Sequence, residues 1–201
     1  ADNTKLDGIE ASATADQTAA QIKAHVTLQT TATSNIGLGT GALDSITTGN
    51  YNVALGDVAG TAITTGAENV AVGFGALNAV TTGSFNTGIG SGALDVNTTA
   101  SNNTGIGFAA LGANTTGANN TATGFEALKS NTTGITNVAV GVETLKANTT
   151  GSNNTGSGVN ALRFNTTGSS NVAVGRSALY VNTTADNNTA IGAYSLDANT
   201  T

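Results

Sequence analysis

From Asn35 onward the chain repeats one pattern of apolar and polar positions every 17 residues. An asparagine opens each copy, at Asn35, Asn52, Asn69, Asn86, Asn103, Asn120, Asn137, Asn154, Asn171 and Asn188. Position 3 is only ever Ala or Gly, and positions 2 and 4 beside it are mostly β-branched or aliphatic. That alternation predicts a short strand with positions 2 and 4 on one face and a narrow face at position 3. Position 5 is glycine in every copy: Gly39, Gly56, Gly73, Gly90, Gly107, Gly124, Gly141, Gly158, Gly175 and Gly192. A glycine kept there predicts a turn that needs positive φ or leaves no room for a Cβ. Positions 8 and 9 are usually Ala-Leu, as at Ala42 and Leu43, and predict a second strand with one larger apolar plug. Gly60 is the exception to Leu at position 9.

Position 12 changes character along the array. It is Ile46, Ile63 and Val80 in the first three copies, then Asn97, Asn114, Asn131, Asn148, Asn165, Asn182 and Asn199. Coils stacked about 4.8 Å apart would bring those asparagines into a ladder of amide-to-amide hydrogen bonds. Thr-Thr-Gly then predicts a second turn whose threonines form further ladders. Positions 6, 7, 10, 11, 16 and 17 vary and carry nearly all charges and aromatics of the repeats, which assigns them to the outside. Glu126 with Lys129 and Glu143 with Lys146 predict a small exposed ion-pair network there.

A disordered tract has no reason to hold its period, so a spacing without insertion or deletion implies copies stacked in fixed register. The predicted fold is all-β: a parallel β-solenoid or β-roll of ten 17-residue coils over residues 35–201, the last three residues short. Residues 1–34 form a leader. Within it TADQTAAQIKAHV, residues 14 to 26, predicts a short helix, with Thr14 and Gln17 at capping-box spacing and Ala19, Ile22 and Val26 on one apolar face.

Composition narrows the function. Charged residues are 9% and aromatics 4%, with 27 glycines, no cysteine and a net charge of −6. Six basic residues build no phosphate-tracking patch, so nucleic acid is not an expected partner. No apolar run approaches the roughly 20 residues of a membrane helix, and no membrane insertion is expected. Glycine triplets such as Gly88-x-Gly90-x-Gly92 lack the βαβ setting of a nucleotide loop. The acidic residues stand singly, and the lone His25 has no partners in the sequence for proton transfer or metal binding. Neither catalytic nor metal-ligating residues nor a cofactor are expected, and the chain reads as a non-enzyme.

The NVAVG and NTAIG phrases followed by Ala-Leu resemble the head repeats of trimeric autotransporter adhesins of the YadA-like kind. That resemblance implies a left-handed parallel β-roll that trimerises, with the Ala/Gly strip as the seam where three backbones approach; the alternative is that the strip lines the inside of a thin single-chain coil. The leader KLDGIEASATADQTAAQIK, residues 5 to 23, resembles segments common in phage tail-fibre proteins, where NTAIG…ALxxNTTGxN arrays also occur. The implied role is a homotrimeric shaft segment of a bacteriophage or phage-like tail fibre, about 50 Å long for ten coils. It would hold a receptor-binding tip toward the host, on a virion or another extracellular surface, with any host cell-surface receptor engaged through other domains. The alternative is a bacterial adhesin head, with Phe74, Phe108 and Phe125 at position 6 as candidate surface contacts. A more remote one is an ice-binding solenoid, although threonine at position 2 alternates with valine.

Overall fold

The computed structural model describes residues 34–200 and the backbone of a short strand at residues 26–27. That strand, β1 (Val26–Thr27), is followed by one three-residue strand per repeat: β2 (Ile36–Leu38), β3 (Val53–Leu55), β4 (Val70–Val72), β5 (Thr87–Ile89) and β6 (Thr104–Ile106). The series continues with β7 (Thr121–Thr123), β8 (Val138–Val140), β9 (Thr155–Ser157), β10 (Val172–Val174) and β11 (Thr189–Ile191). All belong to one sheet in chain order. From β2 to β11 every neighbouring pair is parallel, and each residue pairs with the one 17 further on, as Ala122 does with Ala139 and Thr121 with Val138. The fold is therefore an all-β parallel solenoid.

β1 is antiparallel to β2, with Val26 opposite Leu38, so it occupies the outer edge of the first coil's strand. Val26, the last residue of the helix expected over residues 14 to 26, lies in this strand; the rest of that helix falls outside the described residues.

Each coil carries one strand. The Ala-Leu segment at positions 8 and 9 does not form the expected second strand. Leu43, Leu77, Leu94, Leu111, Leu128, Leu145, Leu162, Leu179 and Leu196 all adopt left-handed backbone, with φ between 48° and 57°. In a strand, neighbouring side chains point to opposite faces, and only one of the two could be buried. The left-handed kink turns both inward: Ala42 and Leu43, and Ala110 and Leu111, are all fully buried. Turns of the i to i+3 kind hold the segment, with Ala110 N–H donating to Gly107 O at 3.3 Å and Asn114 N–H to Leu111 O at 3.0 Å.

The narrow face of the strand also points inward. Ala54, Ala122, Ala139 and Ala173 are fully buried within the single chain, in one cluster with the leucines of position 9. A Cβ on Gly88 would lie 3.1 Å from both Leu77 Cγ and Ala93 O. The interchain seam expected at the Ala/Gly strip is thus not available there; the strip lines a core too thin for larger side chains. Positions 2 and 4 face outward instead, and Ile36, Leu38, Ile89, Ile106, Val138, Val140, Val174 and Ile191 are exposed along that face.

Candidate functional site: ladders within and an outer face of rings and charges

The turn glycines, ladder asparagines and phenylalanines singled out above occupy three separate columns. The glycines of position 5 all have φ between 121° and 141°. They also stack on one another: a Cβ on Gly107 would overlap the carbonyl oxygen of Gly124 in the next coil. Either condition excludes a side chain, and both hold here.

The asparagines of position 12 hydrogen-bond as a continuous column. Asn114 Nδ2 donates to Asn97 Oδ1 at 3.0 Å, and Asn131 to Asn114, Asn148 to Asn131 and Asn165 to Asn148 each at 2.8 Å. Asn182 to Asn165 and Asn199 to Asn182 follow, each at 2.9 Å. The same amides reach their own turns, as Asn131 Nδ2 does with Gly134 O at 2.9 Å.

A second ladder, unread in the sequence beyond its use as a repeat marker, runs through the asparagines of position 1. Asn120 Oδ1 accepts from the backbone N–H of Asn137 at 2.9 Å and from its Nδ2 at 3.2 Å. Asn137 Nδ2 also donates to Gly151 O at 2.8 Å, the carbonyl that takes Asn148 Nδ2 of the position 12 column at 2.9 Å. The two columns are therefore joined at the carbonyl of position 15. The signal was present, since position 1 is Asn in every copy and a marker of register alone would tolerate substitution. Both columns are buried without charge, where an amide that both donates and accepts can satisfy itself against an identical neighbour.

Threonines of position 13 form the further ladder. Thr115 Oγ1 donates to Thr132 O and Thr132 Oγ1 to Thr149 O, each at 3.0 Å. Their hydroxyls are engaged inside the protein, which removes one column of the array an ice surface would need.

The outer face differs along its length. In coils 6 to 8 positions 7 and 10 build a zigzag of charges: Lys129 to Glu126 at 2.6 Å, Lys146 to Glu126 at 2.6 Å, Lys146 to Glu143 at 2.7 Å and Arg163 to Glu143 at 2.9 Å. The network is less exposed than expected, with the Glu126 side chain only 11% exposed. Hydrogen bonds from Lys129 and then Lys146 hold the Glu126 carboxyl below its ordinary range, and those to Glu126 and Glu143 raise Lys146. The position 6 phenylalanines are exposed, Phe74 the most at 66%. Phe108 and Phe125 stack, with ring centroids 5.4 Å apart and planes at 14°.

Among the described residues no group of three or more His, Cys, Asp or Glu is placed to hold a metal ion, and no helix is long and apolar enough to cross a membrane. No protein-family model, curated protein or solved structure matches the chain.

Proposed function

We propose that this array is a structural shaft: a segment of a phage or phage-like tail fibre that fixes the distance between an attachment point and a receptor-binding tip. The observation that carries the reading is the pair of buried asparagine ladders, which repeat the backbone register of every coil with side-chain hydrogen bonds. A rod needs register and length, and nearly every buried polar group here serves register. The leader's resemblance to tail-fibre segments supplies the phage context.

Homotrimerisation belongs to the same proposal, with its seam moved to the outward strand face. Columns 2 and 4 hold no charged residue in any copy. Two side chains from each of ten strands offer a continuous uncharged face, which a trimer would divide between two neighbours. Light scattering on the chain should give a mass near 58.5 kDa, three times 19.5 kDa. Ile106→Lys with Val140→Lys should return it to a folded monomer.

The shaft role is tested by deleting two whole coils, 34 residues, from the natural protein. The fibre seen by electron microscopy should shorten by about 10 Å, with attachment to cells retained. If attachment is lost while the remaining coils stay folded, the array itself is the binding element. The adhesin-head alternative would then stand, favoured by the exposed phenylalanines of position 6.

A further inference from the structure

The outer face of coils 2 to 6 carries a groove of about 650 Å³ that runs along the rod. Phe74, Ser91 and Phe108 of position 6 line one side, and Val96, Ala113 and Ser130 of position 11 the other. Its floor exists because position 7 is Gly75, Gly92 and Ala109 in successive coils. Nothing lies within 4 Å of where a Cβ on Gly92 would be, so the space above it is open. One coil further, Glu126 and Lys129 fill the equivalent positions and the groove ends against their ion pair.

The column of rings at position 6 has a gap. Phe125 covers one face of Phe108, and the next ring on the other side, Phe74, is two coils away with Ser91 between. Two coils span about 9.6 Å, which leaves about 4.8 Å on either side of a flat ring inserted at the level of Ser91. Beside this slot stand polar groups without a partner in the protein. The carboxylate of Asp95, the amide of Asn78 and the hydroxyl of Ser91 make no side-chain hydrogen bond, unlike the amides of the two ladders. The backbone amides of the floor are already engaged: Gly75 N–H donates to Asp57 O, Gly92 N–H to Phe74 O and Ala109 N–H to Ser91 O, at 3.1, 2.9 and 3.0 Å.

We propose that this groove is a carbohydrate-binding site that takes a pyranose ring in the slot between Phe74 and Phe108. A sugar ring offers what the groove lacks: C–H faces for the phenylalanines and hydroxyls for Asp95, Asn78 and Ser91. A peptide strand would need free main-chain donors, and the floor amides are taken. An aromatic ring would fill the slot but leave the carboxylate and amide without partners. The site does not depend on the shaft reading, because a rod of either kind can carry it.

The test is binding of the whole chain to an array of immobilised oligosaccharides covering neutral hexose and N-acetylhexosamine glycans. Wild type should bind a subset. Ser91→Phe, which completes the column of rings and closes the slot, should lose at least ten-fold in signal. Asp95→Ala should lose a comparable amount with the slot still open, and both variants should melt within a few degrees of wild type. No binding by wild type anywhere on the array would overturn the proposal, as would binding that both variants retain. Displacement of the bound glycan from wild type by a soluble oligosaccharide, and not by N-acetylphenylalaninamide, is the further expected result. Displacement by the aromatic compound alone would overturn it in favour of an aromatic ligand.

Discussion

Asn131 Nδ2 lies 2.8 Å from Asn114 Oδ1 in the preceding coil and 2.9 Å from Gly134 O in its own turn, so one buried amide closes a coil and ties it to its neighbour. Its own Oδ1 accepts from Asn148 in turn. Each asparagine inside the column is therefore satisfied only while both neighbours are present.

Replacing Asn131 by valine, the residue at position 12 in coil 3, should destabilise the protein by about 2–4 kcal/mol, because Asn114 loses its donor and Asn148 its acceptor. Asn97→Val should cost less, about 1–2 kcal/mol, since Asn97 ends the ladder beside the apolar Val80, only Asn114 among the ladder amides loses a partner, and the Ala100 carbonyl keeps Asn86 as a donor. Urea denaturation of the two variants compares them directly, and equal midpoints would contradict a ladder with a defined end.

Gly107→Val should be far more damaging than a change at position 16. The valine Cβ would overlap the Gly124 carbonyl at a φ of 130°. Ser152→Val is not a neutral control, however, because Ser152 Oγ accepts the Ile135 backbone N–H at 3.1 Å. A loss of about 1 kcal/mol is expected there, against several for Gly107→Val. Thermal melts should rank them so.

Ala122→Leu tests where the narrow face points. Ala122 is fully buried inside the coil, so the larger side chain should overpack the core and cost about 1–3 kcal/mol. The mass of the folded fraction in light scattering should not change. A shift in mass without loss of stability would place the strip at an interface between chains.

The ion zigzag gives stability a pH window. The Glu126 carboxyl is depressed in the folded state, so its contribution is present above its ordinary value of 4.5 and is lost as pH falls through the lower folded value. Lys146 is raised, so its contribution is present below 10.5 and is lost as pH rises through the higher folded value. Glu126→Gln should lower the melting temperature at pH 7 by a few degrees, on the order of 1 kcal/mol for a partly exposed network. The difference from wild type should shrink toward pH 3 and in high salt.

The period, the single strand at positions 2 to 4 and the position 12 column were legible because each is a local regularity repeated from coil to coil. Two features were not. The inward direction of Ala122 and its equivalents depends on what lies across the coil, and a small residue suits a thin core and a close interface equally. The turn at Ala-Leu was hidden because Leu43 and its equivalents take left-handed backbone, a conformation that composition assigns to glycine or asparagine. Burial of the leucine across the coil holds it there, which is a tertiary effect. For the same reason the groove beside Phe108 could not be read from variable positions one coil at a time: it arises from small residues in adjacent coils.

Every bond that joins coil to coil, whether from the strands, the asparagines or the threonines, lies along the rod axis. Tension along that axis would load the bonds of one coil boundary at a time, so the array should yield by peeling from an end. Each coil released would free 17 residues, about 55–60 Å of slack against the roughly 5 Å it occupied when folded. The folded array is thereby extensible in steps under pull, and its force trace in a single-molecule experiment should be a sawtooth with that step.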